Sequence, residues 1–247
     1  GYVTFFYPLF FGFMLSDIGY GLLTLLTALV VQQTIDNSDD YANILAISGV
    51  ATILFGILFG SFFGELIPLE PLWTAQFEAS FNILILSLII GLIHMNIGVL
   101  TNLYQRIKQN KPAANIIKHA APLPLVQAST AALYYQHTTL GITGLIAATA
   151  LLTWRDGFIG VLGLSDYLGT WFSYARLLAL SLATAGIALA VNIIAAQLSA
   201  TPIIGSLIYT ITLLARHTFN YSVNLLGTTL NAARLHYVEF FDLFFQG

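Results

Sequence analysis

Two arginines stand in the most apolar parts of this chain. Arg176 lies in SYARLLALSLATAGIALAV, Ser173–Val191, and Arg234 in NAARLHYVEFF toward the C-terminal end. A guanidinium keeps its proton at any physiological pH and carries five N–H donors. Each arginine is therefore a permanent cation, and Arg176 stands in a segment that is otherwise nearly pure hydrocarbon. A charge at the bilayer centre costs about 2.5–3.5 kcal/mol on insertion scales, and side chains placed there face a protein interior or a water-filled cavity. Two uses satisfy that cost: a structural ion pair, for instance Arg176 with Asp17 or Asp166, or a role in ion passage.

The neighbours of the arginines sharpen the choice. Ala175, Ala179, Ala183, Gly186 and Ala190 recur at spacings of four, four, three and four. On a helix they form one smooth stripe with Arg176 at its edge. Small residues let helices approach closely in lipid, either in permanent packing or as a surface past which a partner slides. In the last segment Asn220, Asn224, Gly227, Asn231 and Arg234 share a face, within about 80° at 100° per residue. Amides in lipid need a partner or water. The row reads either as hydrogen bonding to a neighbouring helix or as the wall of an aqueous half-channel ending at Arg234. Asp166, Gly169 and Ser173 lead along their own helix toward Arg176. Two polar approaches from opposite faces, each ending near an arginine, describe an ion path interrupted at its middle.

Other chemistry is not encoded. There is no phosphate-binding loop and hence no nucleotide site. The five histidines are scattered without metal-ligand spacing, and there is no cysteine. His94 in LIHMNIGV reads as a packing residue or a proton relay. No cofactor, metal or nucleic-acid partner is expected.

The elements that position these residues follow from composition. The chain has 247 residues, 57% hydrophobic and 8% charged, with net charge -3. Its mean hydropathy is +0.83. Soluble domains carry about 25% charged residues. Apolar runs at Phe5–Val31, Leu45–Phe63, Phe81–Tyr104, Ala113–Tyr135, Thr139–Trp154, Leu168–Leu198 and Ile203–Phe241 approach or exceed the roughly 20 residues that cross a bilayer as a helix. The composition predicts an all-α integral membrane protein, a single transmembrane domain over 1–247 with the lipid bilayer around it. Arg106, Lys108, Lys111 and Lys118 are half of the eight Lys and Arg. Their loop is expected to be cytoplasmic. Counting from it places Trp154–Asp166 and the C-terminus inside, Ser199–Pro202 and Glu65–Glu78 outside, and Asp36–Asp40 inside. As one helix, Phe5–Val31 would be about 40 Å long. SDIGYG at its middle leaves open a single tilted helix or a hairpin of two short ones.

Beyond these physical readings, SYARLLALSLATAGIA and NAARLHYVEFF resemble the membrane domain of the rotary V-type and A-type ATPases. That subunit is called a in V-type enzymes and I in prokaryotic ones. FFYPLFFGFMLSDIGYGLL, ILFGSFFGE and GLIHMNIGVL resemble the family's earlier helices in the same order. The resemblance implies about eight transmembrane helices with both ends cytoplasmic, which favours the hairpin. The last two helices would be long and tilted, beside a ring of c (proteolipid, K) subunits. A cytoplasmic N-terminal domain normally precedes this region in the family and is absent from this chain. Peripheral-stalk and other ATPase subunits are the further partners implied, and H⁺ or Na⁺ the transported ion. Arg176 falls on the arginine essential for ion translocation and Arg234 on one near it. Asp166, Ser173, Thr184, Asn220, Asn224, Asn231 and Glu239 become half-channel candidates. The stripe from Ala175 to Ala190 becomes the ring-facing surface. Many relatives carry histidine, glutamate and histidine where this chain has Thr184, Asn224 and Asn231. None of these three titrates, so the outer half-channel would need water or serve Na⁺. LATAGIALA resembles the prokaryotic branch and implies a cell membrane. The alternative is a secondary transporter or ion channel in which Arg176 binds an anion or gates. That reading calls for inverted repeats or matching broken helices, and the sequence shows neither. A purely structural membrane subunit is the third reading.

Overall fold

The computed structural model describes residues 2–198 and 205–240. The expected turn at Ser199–Pro202 and the C-terminal residues lie outside the described residues. Every regular element among the described residues is helical. They are α1 (Tyr2–Leu15), α2 (Ile18–Thr34), α3 (Asp39–Phe59), α4 (Ser80–Lys108), α5 (Ala113–Ala120), α6 (Pro122–Tyr134), α7 (Thr138–Asp156), a 3₁₀ turn (Gly157–Leu162), α8 (Gly163–Phe172), α9 (Ala175–Leu198), α10 (Gly205–Arg234) and a π-helical turn (Leu235–Phe240). Asp39–Phe59, Ser80–Lys108 and the stretch Thr138–Gln197 are long and apolar enough to cross a membrane.

The breaks have local causes. Ser16 has φ 32°, and Asp17 is extended with its side chain accepting from the Tyr20 amide. An aspartate N-cap satisfies an amide that the new helix leaves open. Phe5–Val31 is therefore two helices, α1 and α2. Gly60 ends α3 in the left-handed region at φ 70°, where glycine meets no Cβ penalty. The apolar run Leu168–Leu198, continuous in the sequence, is divided between α8 and α9 at Ser173–Tyr174. There the Tyr174 hydroxyl lies 2.7 Å from His94 Nδ1. Its ring rests against Gly91, where any Cβ would lie 2.5 Å from it.

An apolar core of Phe10, Phe11, Phe13, Met14 and Leu15 is joined by buried polar groups, and large apolar side chains cover the outside. Ser16, Asp17, Thr24, Ser48, Thr52, Ser87, Ser181 and Thr184 are buried, while Leu22, Leu26, Leu29, Ile85 and Ile89 are exposed. Water would penalise that distribution and hydrocarbon rewards it. Several of the buried hydroxyls are satisfied within their own helices; Thr24, Ser48 and Thr52 each donate to the carbonyl four residues back, the usual remedy for Ser and Thr in lipid.

The described residues fall into two compact units, one within Gly1–Ser87 and Ala175–His236, the other within Leu88–Tyr174 and Tyr237–Gly247. In the first, α2 packs along α3, and α1 packs on α3, α9 and α10, with α9 against α10. In the second, α6 and α7 form an antiparallel pair flanked by α5, and α8 packs on the 3₁₀ turn and α7.

Candidate functional site

The site is best built from α9, the helix that carries Arg176. Its inward face is Leu177, Ser181, Thr184, Ala185, Ala188, Val191 and Ala195, all buried. On the other face Ala179, Ala183 and Ala190 are exposed, with Ala175 and Gly186 half-buried. Arg176 is half-buried in the first turn. The helix thus has a lining side with hydroxyls and an outer, apolar side on which Ile187 stands exposed among the alanines.

Two hydrogen-bonded branches reach the lining side. In the shorter one, Gln76 donates to Ser16 Oγ at 2.6 Å and to Ser181 Oγ at 2.8 Å. The two hydroxyls lie 2.9 Å apart. Gln76 belongs to the polar stretch expected outside, yet it is only 5% exposed.

The longer branch crosses three helices and is continuous. Thr184 Oγ1 lies 2.8 Å from Asn224 Oδ1. Asn224 Nδ2 donates to Asn220 Oδ1 at 2.6 Å. Asn220 Nδ2 donates to the Tyr20 hydroxyl at 2.7 Å, which lies 2.9 Å from His217 Nδ1. His217 Nε2 lies 3.0 Å from Asn192 Oδ1. Asn192 Nδ2 donates to the carbonyls of Phe63 and Gly64 at 2.8 and 2.6 Å.

The partners fix the protons from Asn224 onward, while the single Thr184 hydroxyl proton has two acceptors, the Leu180 carbonyl at 2.9 Å and Asn224 Oδ1 at 2.8 Å. Two carbonyls can only accept, so the Asn192 amide nitrogen faces them and its oxygen faces His217. His217 Nε2 must then carry hydrogen, leaving Nδ1 as an acceptor. Tyr20 donates to that nitrogen and accepts from Asn220. All the donors between Asn224 and the 63–64 backbone point the same way, an arrangement in which each bond polarises the next.

The loop at the end of the row is anchored by Asp17. Its carboxylate accepts from the Tyr20, Phe63 and Gly64 amides and from Ser61 Oγ, at 2.6 to 3.0 Å. Those four donors occupy the oxygens that a structural bridge to Arg176 would use. Gly64, at φ 60°, lies so close to α9 that a Cβ would come within 2.3 Å of the Ala188 Cβ.

The remaining candidates are dispersed. Asn231 is half-buried and donates to the Gly227 carbonyl at 2.8 Å. Arg234 is exposed at the last α-helical position before the π-helical turn, a form rare enough to mark functional segments. Asp166, Ser173 and Glu239 belong to the second unit. Asp166 is exposed in the first turn of α8. Ser173 donates to the Gly169 carbonyl, and Glu239 is 4% exposed. Thr184, Asn220 and Asn224 are thus brought together, joined by Tyr20, Asn192 and His217, which the sequence reading leaves out. A lone asparagine in apolar α9, and a histidine three residues before Asn220, are the signals that point to them.

Fold and site define a helical membrane protein with a polar, hydrogen-bonded interior. No family model matches the chain. It is 34% identical over 99% of its length to the A-type ATP synthase subunit I of Pyrococcus horikoshii. It is 31% identical over 97% to that of Methanocaldococcus jannaschii and 30% over 100% to that of Methanothermobacter thermautotrophicus. The chain covers 41%, 42% and 39% of those proteins, about two fifths of each. Over nearly its whole length the chain thus matches the A-type ATP synthase subunit I family.

Proposed function

We propose that this chain is the stator membrane region of a rotary V/A-type ATPase, providing two half-channels separated by Arg176 for transmembrane H⁺ passage. The observation that carries this reading is the two-faced α9. Its exposed Ala179, Ala183 and Ala190 suit close approach by a moving helix, and its other face holds Ser181 and Thr184 at the ends of buried polar branches. The partners are a c (proteolipid) ring against the alanine face and the peripheral-stalk subunits of the same complex. About eight spans in a prokaryotic cell membrane, with the 106–118 loop and the C-terminus cytoplasmic, complete the arrangement.

Arg176 would stabilise an ionised ring carboxylate where the dielectric is low. It also blocks proton leakage, because arginine neither accepts nor releases a proton at working pH. Arg234 sits one helix away to share that role. Thr184, Asn220, Asn224 and Asn231 line the outer half-channel, and Asp166, Ser173 and Glu239 the inner one. The amides do not titrate, but His217 and Tyr20 stand in the same row. A proton arriving on His217 Nδ1 turns the Tyr20 hydroxyl away, and loss of the proton restores it. That pair favours H⁺ over Na⁺ as the ion.

Affinity purification of the full chain from its native membrane tests the reading. Recovery of a proteolipid ring and soluble ATPase subunits is expected. A chain that purifies alone and transports solute in liposomes would overturn it.

A further inference from the structure

At one end of the second unit the chain gathers cations without carboxylates. From Ala79 to Arg155 there is no Asp or Glu, and the basic residues are Arg106, Lys108, Lys111, Lys118 and Arg155. Lys108 and Lys111 are exposed, and hydration suffices for them. Arg106 and Arg155 are half-buried and held in place. Arg106, in the last turn of α4, donates from Nε to Asn102 Oδ1 and from Nη1 to Asn115 Oδ1 of α5. Both acceptors are neutral amides, so they aim the guanidinium without neutralising it. No carboxylate pairs with Arg106 among the described residues. Its remaining N–H groups are left for another acceptor.

Arg155, in the last turn of α7, pairs with Asp156 at 2.7 Å and donates to the Tyr167 hydroxyl. Its side chain is 16% exposed, within reach of a ligand. α5 packs on α7, and the charge of Arg155 acts on both Arg106 and His119. His119 Nδ1 lies 2.9 Å from the Asn115 carbonyl. Burial first, and then the charges of Arg106, Arg155 and Lys118, push His119 below its ordinary pKa, against the raising effect of that bond. Basic side chains from α4, α5 and α7 thus converge, with Asp156 the one carboxylate bonded to them among the described residues. A helix C-terminus favours a nearby cation by about 0.3–1 kcal/mol. That accounts for each residue's place on its own helix and not for their convergence, which costs mutual repulsion.

The surroundings select the counter-ion. The cluster lies where the long apolar α4 ends and where α7, which opens the apolar stretch Thr138–Gln197, ends. Lipid phosphates sit at that level of a bilayer. Trp154, Phe158 and Ile159 near Arg155, and Ile117 beside Lys118, are exposed. A soluble anion gains nothing from that apolar border, whereas acyl chains do. Guanidinium forks match phosphate oxygens, and basic pockets between membrane helices hold anionic headgroups. We infer that Arg106, Arg155, Lys118 and His119 form a site for the phosphate of an anionic membrane phospholipid, whose acyl chains run over the apolar residues around it.

Native mass spectrometry of the detergent-solubilised full chain, titrated with phosphatidylglycerol or phosphatidylcholine, tests this. The unmodified chain is expected to retain one phosphatidylglycerol about tenfold more tightly than phosphatidylcholine. Arg106→Gln and Arg155→Gln should each weaken phosphatidylglycerol by about tenfold, the effect of losing charge-assisted hydrogen bonds, and leave phosphatidylcholine unchanged. Lys108→Gln, at an exposed cation of the same helix turn, should change neither. Equal retention of the two lipids, or arginine variants that hold phosphatidylglycerol as the unmodified chain does, would overturn the site. A second measurement needs no substitution. The unfolding temperature of the unmodified chain should rise with phosphatidylglycerol more than with phosphatidylcholine or inorganic phosphate. A rise as large with inorganic phosphate would mark the site of a soluble anion and overturn the lipid.

Discussion

Replacing His217 separates a hydrogen-bonding role from a proton-carrying one. His217 bridges Tyr20 and Asn192 and packs edge-on against Phe63, with centroids 5.2 Å apart. Phenylalanine keeps the ring contact and loses both hydrogen bonds. Interhelical bonds in membrane proteins average about 0.6 kcal/mol each. Two are worth about 1.2 kcal/mol, roughly an eightfold change in the unfolding equilibrium, which leaves the protein folded. Glutamine has an oxygen to accept from Tyr20 and a nitrogen to donate to Asn192, so it restores both links without a titratable group. The assay is ATP-driven acidification in proteoliposomes carrying the whole complex, with unfolding in a denaturing detergent measured in parallel. His217→Phe and His217→Gln are both expected to lower the initial rate by about tenfold or more, on the scale of removing a positioned acid–base group. Only the phenylalanine form should lose stability. Unchanged pumping by His217→Gln would refute the relay and leave His217 as a strut.

Arg176→Lys should assemble but lose coupled pumping, because lysine deprotonates when desolvated and lacks the planar fork; normal ATP-driven acidification would contradict the assigned role. Ala183→Trp should reduce recovery of the proteolipid ring or stop turnover, since an indole replaces a methyl on the exposed face of α9; a freely turning complex would remove that face from the interface. Single cysteines at Glu70 and Gln109, both exposed, should label from opposite sides of the membrane, and same-side labelling would break the proposed orientation. Gly64→Ala should destabilise by about 2 kcal/mol or more from the left-handed backbone and the approach to Ala188; Gly169→Ala, where a Cβ meets nothing within 4 Å, is the control expected to be neutral or better in the same detergent titration.

Helix positions are largely legible in the sequence, because hydropathy and length respond to the bilayer directly. The break at Asp17 is foreshadowed by its neighbouring glycines and its capping chemistry. The division at Ser173–Tyr174 is not, since its cause is a notch at Gly91 on another helix. The site divides in the same way. The alanine stripe and the amide row follow from helical periodicity within one segment. The link from Asn220 to Tyr20 spans 200 residues and that from Tyr20 to His217 spans 197. No local pattern encodes a partner that far away. Gln76 shows the converse error: a polar residue between apolar runs reads as solvent-facing, yet two serine hydroxyls hold it inside.

The contact between Gly64 and Ala188 bears on mechanics as well as packing. Most helices rest on their neighbours through side chains that rotate and compress. At this point the Gly64 main chain meets the Ala188 methyl and backbone, and the loop behind it is held by three bonds to Asp17. A push on the outer face of α9 is therefore carried onto a contact with no flexible side chain between the two elements. For a part proposed to stay still while another turns against it, low compliance there preserves torque, and softening that backing would dissipate work as helix displacement before any ion moved.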